Sequence, residues 1–262
     1  VRKGLASLAT TRNPGLKALI QAAGVEGKPL NAEMVGFVLA PRLNAAGRLD
    51  DAMDGVKLLT AQTAAEAETI AQKLNEENIR RQTISKDIYD EALAYLSGKE
   101  LGSALVLGKD NWHPGVIGIV ASRLVERFNR PAILLSFDGE VAKGSCRSIP
   151  PVNMYEVLTA CKSHLIQFGG HAQAAGLTLY TKDIAAFRQA FQQEVSKVLQ
   201  GKEYIPQVEP DYFIPVGKEV TVSAVQELAL LEPCGQGNPS PLLAFQEAEV
   251  LSAGTMGKER TH

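Results

Sequence analysis

No apolar run in this 262-residue chain approaches the roughly 20 residues that span a bilayer. No apolar amino-terminal block with a small-residue cleavage site marks it for export either. Cysteine is scarce. Cys146, Cys161 and Cys234 show no CxxC spacing and are odd in number, which argues against a disulfide framework or structural zinc and for reduced thiols in a cytoplasmic protein. The four histidines, His113, His164, His171 and His262, form no evident metal centre. HExxH, Gly-x-Ser-x-Gly, a Walker A loop and Asp-x-Asp with partner histidines are all absent, so the familiar routes to zinc peptidase, serine hydrolase and P-loop chemistry are closed. Nor is there a strongly basic domain. The net charge is -2, distributed as +3 over residues 1–62, -2 over 63–99, +2 over 100–201 and -5 over 202–262. A polyanion site must therefore be a local patch in the first or third region.

What remains is an ordinary globular composition, 45% hydrophobic and 21% charged, long enough for two or three lobes. Because the first residue is valine, we expect a piece of a longer protein. The first region reads as helices. Asn13 and Pro14 open one that Gly24 closes, and a second, capped by Asn31, is expected to stop near Pro41. The chain is then expected to turn through "PRLNAAGRLDDAMDG" before a short helix, "VKLLT". Thr63 and Glu66 make a capping-box pattern, and nothing breaks a helix from there to about Ser97. Its centre, "NEENIRRQ", is polar all round, so we expect a bridge between lobes that is docked at its end and wet in its middle. Residues 100–201 alternate strand and helix, which implies an α/β layer structure with a mostly parallel or mixed sheet. After Gly201 the texture turns proline-rich and acidic, with "DYFIPVG" and "LLAFQEAEVLSAG" read as strands around the helix "SAVQELALLEP". We expect an incomplete β domain there.

Four stretches could carry chemistry, and each has a plainer reading. In "QFGGHAQAAG", Gly169 is a natural terminator for a helix over "MYEVLTACKSHLIQ", while a glycine pair also exposes backbone N–H groups to an anion, with His171 as a ring donor. In "VAKGSCRS", strand periodicity puts Lys143, Ser145 and Arg147 on one face, fit for phosphate or simply an edge protected by charge. "NWHPGVIGIVASRL" starts a helix just beyond a strand, a ready anion site with Arg123 two turns further on. Alternatively Trp112 plugs the core and His113 merely caps. "PRLNAAGR" carries Arg42 and Arg48 on an expected loop, as a backbone clamp or as solvated charges. Asp50, Asp51 and Asp54 raise the question of a metal, but without a nearby histidine they read as helix N-terminal charges.

Taken in order and spacing, "PRLNAAGR", "WHPGVIGIVASRL", "GSCRS" and "FGGHAQAAG" resemble the RecJ family of single-strand-specific exonucleases, in the DHH phosphoesterase superfamily. The resemblance runs over nearly the whole chain. It implies that residues 1–62 end a DHH lobe, 63–99 form a long connecting helix, 100–201 a DHH-associated substrate-binding domain, and 202–262 a partial OB-fold-like domain. It further implies hydrolysis of single-stranded DNA from the 5′ end in DNA repair and recombination, with possible repair-protein partners and no membrane. Strand-end and backbone binding would fall to Arg42, Arg48, His113, Arg123, Ser145, Arg147, Gly169, Gly170 and His171. Manganese or magnesium would be held by motifs absent from these residues, so no catalytic or metal-binding residue is assigned here and the piece alone is expected to be inactive. The rival readings are a DHH-type phosphatase for short oligonucleotides or nucleotides, and a non-catalytic nucleic-acid-binding module. A strand-tracking β tail favours long single strands.

Overall fold

The structure, a computed structural model, describes residues 1–255 except 216, 219 and 250. The final "GKERTH", with His262, lies outside the described residues. In chain order the elements are α1 (Arg2–Ala9), α2 (Pro14–Ala22), α3 (Ala32–Met34), a π-helical stretch (Val35–Leu39), α4 (Ala40–Leu49), α5 (Met53–Thr60) and α6 (Ala64–Leu96). There follow β1 (Leu105–Asp110), α7 (Pro114–Phe128), β2 (Ala132–Asp138), β3 (Val141–Arg147), α8 (Met154–Ala160), β4 (Gln167–Gly170), β5 (Ala174–Tyr180) and α9 (Ile184–Val198). Last come β6 (Tyr212–Ile214), α10 (Val222–Leu228) and β7 (Leu243–Phe245). The chain divides into two compact units.

The larger unit runs from Thr10 to Pro29 and from Glu33 to Pro206. Its sheet has the order β1-β2-β3-β5-β4, with β1 and β2 parallel around α7 and every other pair antiparallel. The sheet is therefore mixed, as the alternation of elements implied. β2 is apolar from Ala132 to Leu135 because both its faces are covered there. Ala132 and Leu134 pack with α6 and α7, while Ile133 and Leu135 join the core under α8 and α9, where Phe187 and Phe191 lie fully buried. Burial pushes the thiols of Cys146 and Cys161 up to about 12 and about 11. Both should stay protonated and unreactive near neutral pH, so a thiol reagent added to native protein should modify Cys234 quickly and the other two only in denaturant. Two fast thiols in the native titration would contradict this core.

Three expectations need correction. The helix beginning at Ala32 does not stop at Pro41. The π-helical stretch shifts the register so that Ala40 donates to Val35, and Pro41 falls in the first turn of α4, where a missing N–H costs nothing. "PRLNAAGR" is consequently helix and not loop.

The long helix forms as expected, with Thr63 Oγ1 accepting from Glu66 N at 3.3 Å and Glu66 reaching back to Gln62 N at 3.3 Å. Its middle, however, is wet on one side only. Ala67, Ala71, Leu74, Asn78, Ser85, Ile88, Ala92 and Leu96 form one buried stripe, with Asn78 only 2% exposed, because α2 and α4 cover the first half and α7 the second. Polarity alone misled here, since two of the polar residues hold the stripe's spacing.

The helix after Asn153 ends at Ala160, and a 3-10 turn then leads into β4. Gly169 is thus a strand residue paired with Gly176, not a helix terminator. Two adjacent glycines carry no strand signal, and only pairing with β5 makes this short segment a strand.

The smaller unit comprises Val1–Ala9, Leu30–Ala32 and the residues from Gln207 on. β6 and β7 pair in parallel, and Thr221 caps α10 by accepting from Ala224 N. The expected strands and helix are all present, though each strand is only three residues long.

Candidate nucleic-acid interface

The candidate residues gather on one face of α7, and glycine makes the assembly possible. The sequence "PGVIG" sets Gly115 and Gly118 one helical turn apart. A Cβ at Gly115 would lie 2.2 Å from the Arg48 carbonyl oxygen, so only glycine lets the end of α4 come this close. Arg48 Nη1 then donates to the Gly115 carbonyl at 3.1 Å. A Cβ at Gly118 would lie 2.7 Å from Ser145 Oγ and 3.0 Å from Arg147 Nη2. The second glycine therefore opens the slot in which these β3 side chains sit beneath the helix. Arg147 Nη1 donates to the Cys146 carbonyl at 2.8 Å and to Ser145 Oγ at 3.3 Å, which fixes the guanidinium.

This gathers Arg48, Ser145 and Arg147 from elements far apart in sequence. A further arginine carries charge that is felt at Arg48. Arg81 extends from the middle of α6, where Asn78 Oδ1 accepts from its Nε at 3.3 Å and its Nη2 at 3.0 Å. Burial and then the charge of Arg48 hold the Arg81 guanidinium below the usual arginine range, and the same neighbour adds to the effect of burial on Arg147. Among the described residues, Arg80 and Arg130 have carboxylate partners, whereas Arg48, Arg81 and Arg147 have none. Three like charges held together without a counter-ion favour binding of an anion.

Beside them the sheet continues as a shelf of small residues. Ser145 is in register with Gly176, and Gly176 with Gly169, while Arg147 is in register with Ala174. Gly176 and Gly169 are exposed. A Cβ at Gly169 would meet nothing within 4 Å and one at Gly176 only the Gly144 carbonyl at 3.8 Å, so the fold itself does not require glycine at either position. Gly170 differs. Its φ is +150° and a Cβ there would lie 2.3 Å from the Ala174 carbonyl, so this glycine shapes the turn. The hairpin tip carrying His171 is anchored by Ser148 N donating to Gln173 O at 3.0 Å and Met154 N donating to Ala172 O at 2.9 Å. His171 Nδ1 accepts from Gln173 N at 3.3 Å, leaving Nε2 as the outward atom of an exposed ring.

Other candidates stand apart. Arg42 donates to Val38 O at 2.6 Å and Asn75 Oδ1 at 2.9 Å, pinning α4 to α6. Arg123 lies over the Tyr89 ring at 3.7 Å. His113 caps α7, its Nδ1 accepting from Gly115 N at 3.1 Å, while its carbonyl accepts from Val116 and Ile117. Pro114 has no N–H, so the first turn of α7 is already satisfied and is not the open anion site that its position after a strand suggested. Trp112 is buried and donates to Glu91 Oε2 at 2.7 Å.

The acids after Arg48 do not read as metal ligands. Asp54 accepts from Lys73 at 2.6 Å and Lys57 at 3.3 Å, Asp50 pairs with Lys73 at 3.0 Å, and Asp51 accepts from Met53 N at 2.9 Å. Hydrogen bonds from Lys73 and then Lys57 hold the Asp54 carboxyl below the usual carboxylate range. Among the described residues, no group of three or more His, Cys, Asp or Glu could hold a metal ion.

Residues 100–197 match the family described as the DHHA1 domain, and residues 214–262 that described as the RecJ OB domain. The single-stranded-DNA-specific exonuclease RecJ of Bacillus subtilis (strain 168) is 40% identical over 262 residues, 99% of this chain and 33% of that protein. The chain belongs to the RecJ family. RecJ of Escherichia coli (strain K12), also named a single-stranded-DNA-specific exonuclease, is 38% identical over 239 residues, 87% of this chain and 41% of that protein. The crystal structure of RecJ in complex with Mg2+ from Thermus thermophilus covers 97% of this chain and 40% of that one, with a TM-score of 0.82 and 34% identity. A second RecJ structure from that organism, in complex with Mn2+, covers 96% of this chain and 38% of that one, with a TM-score of 0.81 at 33% identity. This RecJ-family chain thus spans between 33% and 41% of the length of the two curated relatives. Among the described residues, no helix is long and apolar enough to cross a membrane.

Proposed function

We propose that this chain is the strand-end and backbone clamp of a RecJ exonuclease that removes nucleotides from the 5′ end of single-stranded DNA in repair and recombination. The observation that carries the reading is the juxtaposition of Arg48, Ser145 and Arg147 under α7, without a carboxylate partner and beside the exposed glycine shelf. Arg147 and Arg48 bind the phosphate of the strand end, and Ser145 donates to it. Gly169 and Gly176 leave room for the sugar and backbone that follow, and His171 Nε2 meets them from the hairpin tip. The clamp contributes by positioning the scissile region. The divalent metal ions that activate water in the whole enzyme are held outside these residues, and no chemical step is assigned to the side chains described here.

The test is the fluorescence anisotropy of labelled single-stranded DNA bearing a 5′ phosphate or a 5′ hydroxyl, across a salt series. Tighter binding to the phosphorylated end is expected, with a log-log salt slope near -2 for about three phosphate contacts. Gly169→Val should leave the melting temperature unchanged and weaken binding, because the fold leaves that space open and the strand fills it. Equal binding to both ends, or a valine variant that binds as wild type, would sink the clamp.

A further inference from the structure

We propose that the free edge of β1 is a docking site for an extended peptide segment of a partner protein. The segment pairs with Gly108, places an apolar side chain in the adjoining cavity and sets a carboxylate on Arg188. β1 ends the five-stranded sheet at the edge opposite β4 and the glycine shelf, so the inference stands apart from the clamp. Leu105 N donates to Pro131 O at 2.8 Å. In a parallel ladder Leu105, Leu107 and Lys109 therefore turn their backbone groups to β2, while Val106, Gly108 and Asp110 turn theirs outward. α9 covers the outward groups only part of the way, with Gln192 Nε2 donating to Ala104 O at 3.0 Å and Arg188 Nε to Val106 O at 3.2 Å. The cover stops there. Among the described residues the N–H and C=O of Gly108 have no protein partner. Beside them lies a cavity of about 500 Å³ lined by Ala94 and Tyr95 of α6, by Leu107 and Trp112, and by Arg188.

A strand edge with unpaired backbone groups is a template for another strand, and proteins ordinarily cover or charge such edges. Here side chains cover β1 as far as Val106 and leave Gly108 open. The cavity beside it is within the roughly 300–1,000 Å³ of ordinary ligand sites. Its lining is mainly apolar, with Leu107 and Trp112 buried and Tyr95 53% exposed, which suits one large apolar side chain of a paired strand. Its charges select an acid. Glu91, the carboxylate of the lining, is already engaged by Lys109 at 3.0 Å and by Trp112 Nε1 at 2.7 Å. Half-buried Arg188 gives only its Nε to the protein and keeps both terminal nitrogens for an incoming carboxylate. A nucleic-acid strand is the poorer fit, because it carries no alternating N–H and C=O groups for a strand edge and Lys109 is already neutralised by Glu91.

The probe is a hexapeptide that alternates threonine and valine around a central phenylalanine-aspartate pair, titrated into the isotope-labelled 262-residue chain and followed by NMR. Amide shifts should move at Gly108 and along β1, and the Gly108 N–H should exchange more slowly with solvent once the peptide is paired. Two altered peptides should bind more weakly, by about 10-fold with lysine in place of the aspartate and about 5-fold with an edge-facing backbone nitrogen methylated. Ala94→Trp fills the cavity from an exposed helix position. It should keep the wild-type melting temperature and its affinity for 5′-phosphorylated oligothymidylate, and bind the peptide about 10-fold more weakly or worse. Arg188→Gln, folded by the same criterion, should no longer distinguish the aspartate peptide from the lysine one, which a purely structural role would not produce. Absence of binding, shifts confined to other surfaces, equal wild-type affinity for the aspartate and lysine peptides, or an unaffected Ala94→Trp variant would each overturn the inference. Displacement of the peptide by oligothymidylate would overturn it too and make the cavity a nucleic-acid site.

Discussion

Gly115→Ala should lower the melting temperature by roughly 4–10 °C and weaken single-stranded DNA binding in the protein that remains folded. The Cβ it adds would sit 2.2 Å from the Arg48 carbonyl oxygen and 3.0 Å from its carbon, so backbone and not a flexible side chain must yield. α4 and α7 can separate only by moving Arg48 away from Arg147, which couples the stability loss to the site. Gly15→Ala is the matched control. Its Cβ would also strike backbone, lying 1.8 Å from the Leu58 oxygen, but at the contact of α2 with α5. That variant should lose stability and keep its DNA affinity per folded molecule. Thermal melts paired with anisotropy at a temperature where both variants are folded decide the matter. If Gly115→Ala bound DNA as Gly15→Ala does, α4 would not position the clamp.

Much of the fold was legible because local signals agreed with the tertiary result. The cap at Asn13, the Thr63 and Glu66 pair, the apolar β2 and the alternation along β3 each needed only neighbouring residues to be read. The failures share a cause. Pro41 looked like a stop because the register shift that accommodates it lies upstream in Val35–Leu39, whose composition is ordinary. Gly169 looked like a terminator because β4 depends on a partner strand for its existence. The site divided in the same way. Lys143, Ser145 and Arg147 were placed on one face by period alone, but nothing local tells Arg48, which joins the cluster, from Arg42, which is turned onto Val38 and Asn75. Arg81 was missed inside a polar run. Its signal was position: half-buried, it lies three residues after Asn78 and four before Ser85, in line with the buried stripe of α6.

The arginines give the second large effect. Arg147→Ala and Arg48→Ala should each weaken binding of the 5′-phosphorylated strand by about 10- to 100-fold, the loss expected of a charge-assisted contact worth roughly 1.5–3 kcal/mol. The salt slope should become shallower by about 0.7 for each phosphate contact removed from a single strand. The double variant should lose less than the product of the two, since both side chains meet one anion and the second loses its partner with the first. Stability should move the other way. Each guanidinium sits among like charges without a carboxylate, so its removal relieves repulsion, and the melting temperature should hold or rise. Arg130→Ala supplies the contrast, because Arg130 also donates to backbone carbonyls, those of Gly102 and Phe128 at 3.0 and 2.9 Å, but its loss strands a carboxylate, Glu203. That variant should melt earlier and bind DNA as before. That pair of outcomes would mark Arg48 and Arg147 as residues kept for an anion and not for the fold. Were Arg48→Ala and Arg147→Ala instead to destabilise the chain and leave binding intact, the cluster would be part of the scaffold and the strand end would have to dock elsewhere.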